Sequence, residues 1–168
     1  YNEALNAVVQ VNPDARERAV AADEALARGE LWGPLHGVPV TIKDQFATKG
    51  LRTTNGYLPQ IDYVSEADAT VVARLKEAGA IVLGKTNQPI LGMDIQSSNP
   101  IFGTTNNPWD TTRTPGGSSG GPAAAVAIGV GGFELGTDIG GSIRLPAAVN
   151  WICGHKPSLV SVPSGGCL

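Results

Sequence analysis

Residues 116–128 read Gly-Gly-Ser-Ser-Gly-Gly-Pro-Ala-Ala-Ala-Val-Ala-Ile, a glycine–serine loop followed by a run of small apolar residues. The run from Pro122 to Ile128 predicts a helix that another backbone can approach closely, because alanine favours helix and adds little bulk. Ten of the 26 residues from Gly116 to Gly141 are glycine, and only Glu134 and Asp138 are charged there. A glycine-rich stretch of this kind serves either backbone geometry alone or a functional site.

Around this region, segments with strand and helix patterns alternate along the chain. Val38, Val40 and Ile42 alternate with other residue types in a period-2 pattern that ends at Lys43. The predicted strands are 7–11, 38–43, 81–83 and 133–137, and the predicted helices are 15–28, 65–80 and 122–128. Alternation of this kind favours an α/β fold.

Composition excludes several classes of protein. The 168 residues include 42% hydrophobic residues, enough for a packed core, and the net charge is -3. Scattered Lys and Arg argue against a nucleic-acid or anionic-membrane surface, and no apolar run is long enough to span a membrane. Two cysteines, Cys153 and Cys167, cannot form a disulfide framework, so we expect a reducing, cytoplasmic setting without a secretory signal.

Two generic motifs match without the structural context that they require. Residues 79–86 fit the phosphate-binding P-loop pattern, but a strand-like Ile-Val-Leu lies inside the motif and Pro89 disturbs the helix that should follow. Residues 116–120 and 117–121 both fit the nucleophile elbow of α/β-hydrolases, yet no strand-like segment precedes them and the only later histidine is His155. We therefore disfavour both interpretations.

A second glycine–serine loop and an isolated lysine give the stronger signal. Residues 136–144 read Gly-Thr-Asp-Ile-Gly-Gly-Ser-Ile-Arg, and Ser142 lies 24 positions after Ser118. Lys43 ends the apolar strand, within Gly-Val-Pro-Val-Thr-Ile-Lys-Asp at 37–44. Together with Gly-Lys-Thr-Asn at 84–87, Phe102-Gly103, Asn-Pro-Trp at 107–109 and Gly-His-Lys-Pro at 154–157, these segments resemble the amidase signature family over nearly the whole chain.

The resemblance implies a fold and a catalytic triad. The fold is a mixed β-sheet covered by helices on both faces, and residues 1–168 are expected to be the core segment of a single such domain, truncated at both ends. Ser142 is implied as the nucleophile, Ser118 as a bridging serine in a cis peptide, and Lys43 as the base. A serine needs a base to take its proton, and a lysine can be that base only when burial lowers its pKa. Lys85 and Lys156 are alternative bases in principle.

The second loop is implied to stabilise negative charge on the substrate. The family assigns an oxyanion hole to the backbone amides of Ile139, Gly140, Gly141 and Ser142, and amides converging on one point suit that role. Asp138 and Arg144 flank this loop, and we favour a structural role for them over substrate contact.

The resemblance implies that Gly92, Met93 and Asp94 line the substrate pocket, as does the neighbouring Ile95. The alternative, which the sequence supports equally well, is that these residues only pack against the rest of the protein. His36 and His155 are too few for a metal site, so neither a metal nor another cofactor is expected.

The predicted function is an amidase acting on a small-molecule amide, with no direct nucleic-acid partner, no membrane span and an unknown oligomeric state. The alternatives are a glutamine amidase subunit, similar to the corresponding component of the tRNA-dependent amidotransferase, and an inactive structural fragment. The chain departs from the family at four positions. Ile90 stands where many members have an acidic residue, and Pro122 stands where serine is common. Trp151 and Val160 stand where glycine is usual. We expect the bulky Trp151 to crowd its neighbours.

Overall fold

A four-stranded sheet forms the centre of the structure, a computed structural model that describes residues 2–167. In chain order the elements are α1 (Asn2–Leu5), β1 (Val8–Val11), α2 (Ala15–Ala27), β2 (Pro39–Lys43), α3 (Thr70–Glu77), β3 (Ile81–Thr86), β4 (Ser98–Asn99), β5 (Gly103–Thr104), α4 (Gly120–Ala127), β6 (Phe133–Leu135) and α5 (Arg144–Val149). Short 3₁₀ turns lie at Leu58–Gln60 and Ile90–Gly92.

The sheet is mixed, with strand order β1-β3-β2-β6. Strand β2 runs parallel to both β3 and β6, whereas β1 pairs antiparallel with β3. Strands β4 and β5 form a separate antiparallel pair. The predicted α/β class is confirmed, and the parallel pairing of β2 with β6 brings the carboxyl ends of both strands to one edge of the sheet.

The alternating pattern of β2 sorts its side chains onto the two faces of the sheet. Val40 and Ile42 are both 0% exposed and pack with Val72 of α3 and Val82 of β3 in the main core. Thr41 and Lys43 occupy the opposite face, and α4 packs there. Helices therefore cover both faces, and the strand presents Lys43 on the side of the two serine loops.

The first turn of α4 lies directly against the end of β3, as the small side chains predicted. A Cβ atom at Gly121 would overlap the carbonyl oxygen of Asn87, so only glycine fits there. Further along α4, Ala124 and Ala125 are 0% exposed and pack with Leu5 and Ala7 in a second cluster.

Some predicted boundaries differ from the observed ones. The helix predicted over 65–80 spans only Thr70–Glu77. The residues before it are held by the segment that follows β2, because the amide of Ala69 donates to the Ala47 carbonyl and the amide of Ser65 donates to the Leu51 carbonyl. Strand β3 extends beyond the predicted 81–83 to Thr86, so the P-loop-like pattern at 79–86 is a turn and a strand.

Trp151 and Val160, the two departures from glycine, both adopt a left-handed backbone, with φ of 60° and 61°. The expected crowding at Trp151 is wrong, because its side chain is 84% exposed. The constraint at both positions lies in the backbone, since a residue with a Cβ atom is disfavoured in this conformation, most of all a β-branched one.

We predict that Val160→Gly raises the free energy of unfolding of the complete protein by about 1 kcal/mol, because the left-handed strain outweighs the extra freedom that glycine gives the unfolded chain. Chemical denaturation measures the change. Leu159→Gly is the matched control: Leu159 is equally exposed but does not have a positive φ, so this variant should be slightly destabilised. Equal effects of the two substitutions would contradict the backbone explanation.

Candidate active site

The two serine loops and the predicted lysine meet at one edge of the sheet. Lys43 is the last residue of β2, residues 116–119 lead into α4, and residues 136–143 follow β6. The amide of Ser119 donates to the carbonyl oxygen of Ser142 at 3.1 Å, which joins the two loops directly. The parallel arrangement of β2 and β6 therefore brings together residues that lie about a hundred positions apart.

Lys43 lies at the centre of this arrangement and is 0% exposed. Its Nζ atom donates to Oγ of Ser118 at 2.7 Å, Oγ of Ser119 at 3.1 Å and Oγ1 of Thr137 at 2.7 Å. Within residues 2–167, no carboxylate lies within ion-pair distance of this Nζ. The lysine is thus surrounded by neutral acceptors, which satisfy it whether or not it carries a proton.

Burial lowers the pKa of Lys43 to about 7, against the opposing effects of Cys167, Glu134 and Asp138. Removing an ammonium group from water disfavours its charged form, and hydroxyl partners compensate less than a carboxylate would. A substantial fraction of Lys43 is therefore neutral near pH 7, and a neutral lysine has a lone pair that can accept a proton.

Ser118 lies at a tightly packed point of the loop. The peptide bond between Gly117 and Ser118 is cis. A Cβ atom at Gly117 would lie 2.5 Å from the carbonyl oxygen of Asp94 and 2.6 Å from the carbonyl carbon of Ile95, so the segment 94–95 packs directly on this glycine. The Ser118 hydroxyl is held next to Lys43, with only 2% of the residue exposed.

Ser142 occupies the second loop, where it is half-buried. Its hydroxyl makes no hydrogen bond to any of residues 2–167 in this structure. The loop thus places the serine beside the Lys43–Ser118 pair through the backbone, while the hydroxyl itself is unengaged.

Asp138 fixes the conformation of the Ser142 loop. Its carboxylate accepts hydrogen bonds from the amides of Gly141 at 2.8 Å, Ile143 at 3.1 Å and Arg144 at 3.2 Å. The Arg144 side chain adds two more, at 3.0 and 2.9 Å, and these hold the pKa of Asp138 well below its usual value. The structural role favoured for Asp138 and Arg144 agrees with this geometry.

The family resemblance implies that four backbone amides form an oxyanion hole, and the contacts of Asp138 leave these four in two different states. The amide of Gly141 donates to Asp138 and is occupied. Those of Ile139, Gly140 and Ser142 donate to no acceptor within residues 2–167. The assignment of these three amides to an oxyanion hole stays a prediction.

The predicted substrate-contacting residues lie beside Ser118. A Cβ atom at Gly92 would be 3.4 Å from Oγ of Ser118, and Met93 is 83% exposed. The carboxylate of Asp94 accepts hydrogen bonds from the amides of Ile95 at 2.6 Å and Gln96 at 3.2 Å, so it stabilises its own turn. Their role in substrate binding stays a prediction.

The alternative bases are separated from the serine loops. Lys85 is fully buried, and its Nζ atom donates to the carbonyl of Phe46 at 2.5 Å and to Oγ1 of Thr53 at 3.1 Å, while lying 4.0 Å from Asp44. Burial lowers the pKa of Lys85 to about 8. Lys156 is exposed and, among residues 2–167, donates only to the carbonyl of Pro157. Neither contacts Ser118 or Ser142.

Sequence reasoning missed two of the three Lys43 partners, Ser119 and Thr137. Thr137 accepts from Lys43 and donates to Oε1 of Gln45 at 2.9 Å. Both residues lie inside the two glycine–serine loops, so the loops were identified but not these two hydroxyls.

No cluster of potential metal ligands occurs among residues 2–167, and no helix in that range is long and apolar enough to cross a membrane.

Known proteins resemble this chain in both sequence and structure. It is 53% identical over 144 residues to a subunit of the glutamyl-tRNA(Gln) amidotransferase of Moorella thermoacetica, and the match covers 86% of the chain and 30% of that protein. It matches the peptide amidase of Stenotrophomonas maltophilia with a TM-score of 0.92 at 39% identity, covering 97% of the chain and 34% of that structure. A crystal structure of an amidase matches with a TM-score of 0.90 at 42% identity, covering 99% and 38%.

The chain spans about a third of the length of the relatives that it matches. The model of the Amidase family matches residues 1–168, which is the entire sequence. The lysine segment and both serine loops therefore lie within the match, and the chain belongs to the amidase family.

Proposed function

We propose that the protein containing this chain hydrolyses carboxylic amides through an acyl-enzyme formed on Ser142. The observation that carries the proposal is the 2.7 Å contact between Nζ of Lys43 and Oγ of Ser118, in a buried site where the pKa of Lys43 is about 7. A base whose pKa lies near the working pH combines a useful neutral fraction with good proton affinity.

The first step is attack of Ser142 on the substrate carbonyl. A bond forms between Oγ of Ser142 and the carbonyl carbon, and the hydroxyl proton passes to Ser118. Ser118 passes its own proton to the lone pair of neutral Lys43, since a hydroxyl can accept and donate at once. The lysine becomes an ammonium, and the carbonyl oxygen becomes an oxyanion.

The oxyanion is stabilised by the amides of Ile139, Gly140 and Ser142, which have no other acceptor within residues 2–167. Because the Asp138 carboxylate fixes the loop through Gly141, Ile143 and Arg144, these amides need little rearrangement when the charge develops.

Breakdown of the intermediate releases the amine. The carbon–nitrogen bond breaks, and the leaving nitrogen receives a proton that returns from Lys43 through Ser118. Water then attacks the Ser142 ester with the same groups as base and acid, which gives the carboxylic acid and restores the serine. Each step balances with protein groups and water, so the scheme calls for neither a metal ion nor an organic cofactor.

The substrate in this proposal is a small-molecule amide whose acyl or amine part lies against Gly92, Met93 and Asp94. Gly92 supports this placement, because a Cβ there would be 3.4 Å from Oγ of Ser118.

The unpaired Cys153 and Cys167 fit a reducing, cytoplasmic location.

A second candidate is the amide-hydrolysing component of a multi-subunit amidotransferase that acts on glutamine. It is supported by the 53% identity to the glutamyl-tRNA(Gln) amidotransferase protein of Moorella thermoacetica. The same triad serves both candidates, because both begin with hydrolysis of a carboxamide. They differ in substrate and in the need for partner subunits.

We predict that a fluorophosphonate probe labels Ser142 of the complete, folded protein, because the backbone of Ser142 is hydrogen-bonded to Ser119, the neighbour of Ser118, and its hydroxyl has no partner among residues 2–167. Mass spectrometry of the labelled peptide identifies the site. Ser142→Ala should abolish labelling, whereas Ser161→Ala, which changes an exposed serine, should leave it intact. A folded protein that stays unlabelled would rule out the proposed nucleophile.

We predict that kcat/KM rises with pH through an apparent pKa near 7, because Lys43 must be neutral to accept the proton. Lys43→Ala should lower kcat about 100- to 10,000-fold, the usual contribution of a general base, with the fold retained. Lys156→Ala removes an exposed lysine and serves as the control. Near-wild-type activity of Lys43→Ala would eliminate this base.

The two candidate functions are separated by measuring ammonia release from glutamine and from simple carboxamides. For an independent amidase, we expect the complete protein alone to hydrolyse simple carboxamides, with Ser142→Ala inactive. Glutamine hydrolysis that appears only after partner subunits are added would instead establish the second candidate.

A further inference from the structure

Gln45 is a half-buried residue, two positions after Lys43, that the proposed mechanism leaves without a role. Its Oε1 atom accepts a hydrogen bond from Oγ1 of Thr137 at 2.9 Å. The same Thr137 oxygen accepts a hydrogen bond from Nζ of Lys43 at 2.7 Å. Gln45 is therefore connected to the lysine through a single hydroxyl group.

The direction of the two bonds at Thr137 follows from the number of protons available. An ammonium group at Lys43 can only donate, so Thr137 must accept from it. The hydroxyl has one proton of its own, and the side-chain oxygen of Gln45 receives it. Thr137 therefore accepts from Lys43 and cannot donate to it while Gln45 binds its proton.

Ser119 is committed in the same way. Its hydroxyl donates to the carbonyl oxygen of Thr137 at 3.3 Å, and its oxygen accepts from the Thr137 amide at 3.3 Å and from Nζ of Lys43 at 3.1 Å. One proton and two lone pairs are the full capacity of a hydroxyl group. Toward Lys43, Ser119 is therefore also an acceptor and not a donor.

The Ser118 hydroxyl is the third partner of Lys43, and it differs from the other two. Its oxygen accepts from Nζ of Lys43 at 2.7 Å, and its proton goes to no acceptor among residues 2–167. Of the three hydroxyls, this is the one that can turn and donate to the lysine without giving up another bond in that part of the chain.

The hydrogen-bonding capacity of Lys43 fits this division in both of its charge states. An ammonium group has three N–H bonds, one for each of the hydroxyls of Ser118, Ser119 and Thr137. A neutral amine has two N–H bonds and one lone pair. The two N–H bonds match the two hydroxyls that only accept, so the lone pair is left facing Ser118.

We propose that Gln45 is a positioning residue: by binding the proton of Thr137, it keeps Thr137 from donating to neutral Lys43 and so directs the lone pair of the lysine to Ser118. The inference rests on the proposed amidase function, in which Ser118 passes its proton to that lone pair. Without an acceptor at position 45, the Thr137 hydroxyl can turn and occupy the lone pair. A fraction of the neutral lysines is then unable to receive the proton, and the rate falls by that fraction.

The test is Gln45→Met in the complete protein, because methionine is uncharged, similar in size and only a weak acceptor. We expect the rate at which a fluorophosphonate probe labels Ser142 to fall roughly fivefold, about the effect of one redirected hydrogen bond. Gln60→Met is the matched control, since Gln60 is also half-buried but lies on the 3₁₀ turn at Leu58–Gln60, and the labelling rate should not change. Gln45→Leu replaces Gln45→Met if that variant fails to fold.

A double-mutant cycle with Thr137→Val separates positioning from direct contact with the substrate. Direct contact is the competing explanation, because Oε1 of Gln45 lies 3.7 Å from the Cβ position of Gly92, in the region proposed for the substrate. In the Thr137→Val background no hydroxyl remains for Gln45 to bind, so Gln45→Met should have no further effect on the labelling rate. An equal loss in both backgrounds would overturn the proposal, as would an unchanged rate in Gln45→Met alone.

The titration of Lys43 gives a readout that needs neither substrate nor probe. A Thr137 hydroxyl that donates to the amine stabilises its neutral form, so the Lys43 midpoint should fall by roughly half a pH unit in Gln45→Met. NMR of protein labelled with ¹³C-lysine measures this midpoint from the Cε signal. The substitution changes no charge, and the ionisable groups that face Lys43 stay in place; these are Cys167, Glu134 and Asp138. An unchanged midpoint would overturn the proposal, as would a raised one, which is the result expected if the change merely loosens the site and admits water.

The two readouts keep this inference separate from the proposed function. A folded wild-type protein that stays unlabelled at Ser142 would refute the proposed nucleophile, and a lowered Lys43 midpoint in Gln45→Met would still support the redirected hydroxyl. A labelled protein in which Gln45→Met changes neither the rate nor the midpoint would refute the role of Gln45 and leave the proposed function in place.

Discussion

The rest of the site depends on one constraint: Lys43 is buried, and no carboxylate among residues 2–167 forms an ion pair with it. An ammonium group at Lys43 would be stabilised best by a direct ion pair, yet its three contacts within residues 2–167 are hydroxyl groups. Such acceptors satisfy hydrogen bonding without fixing the charge, which keeps the proton exchangeable. The loop before α4 and the loop after β6 must both reach the carboxyl end of β2 to supply them.

Lys85 shows a different treatment of the same residue type one strand away. It has Asp44 at 4.0 Å and two backbone carbonyls as acceptors, and Asp44 partly offsets the effect of burial on its pKa. This lysine links β3 to the segment that follows β2. The sheet thus contains Lys85, which is bound mainly to backbone carbonyls, and Lys43, which is surrounded by hydroxyl groups. The different acceptors around the two ammonium groups account for their different environments.

The sequence was sufficient for the order and type of the main elements, because the alternation through Val38, Val40 and Ile42 and the small side chains of α4 report local burial directly. It also singled out Lys43, Ser118 and Ser142, which the fold brings to one edge of the sheet. The extent of α3 was not predictable, since its expected first turn is held by the segment after β2. The roles of Ser119 and Thr137 depend on contacts across the sheet. Trp151 was misjudged because the sequence shows its size and not its φ angle.

The register of the central strands has a consequence for correct strand alignment during folding. Lys43 pairs with Thr86, and Thr41 pairs with Glu134, so the site exists only when β3, β2 and β6 are aligned as observed. A slip of β2 by one residue would turn Ile42 toward the serine loops and force Lys43 into the apolar layer against α3. A chain with misaligned strands would therefore lack both a stable core and the lysine site. Lys43, the side chain available for proton transfer, thus also destabilises incorrectly aligned strands.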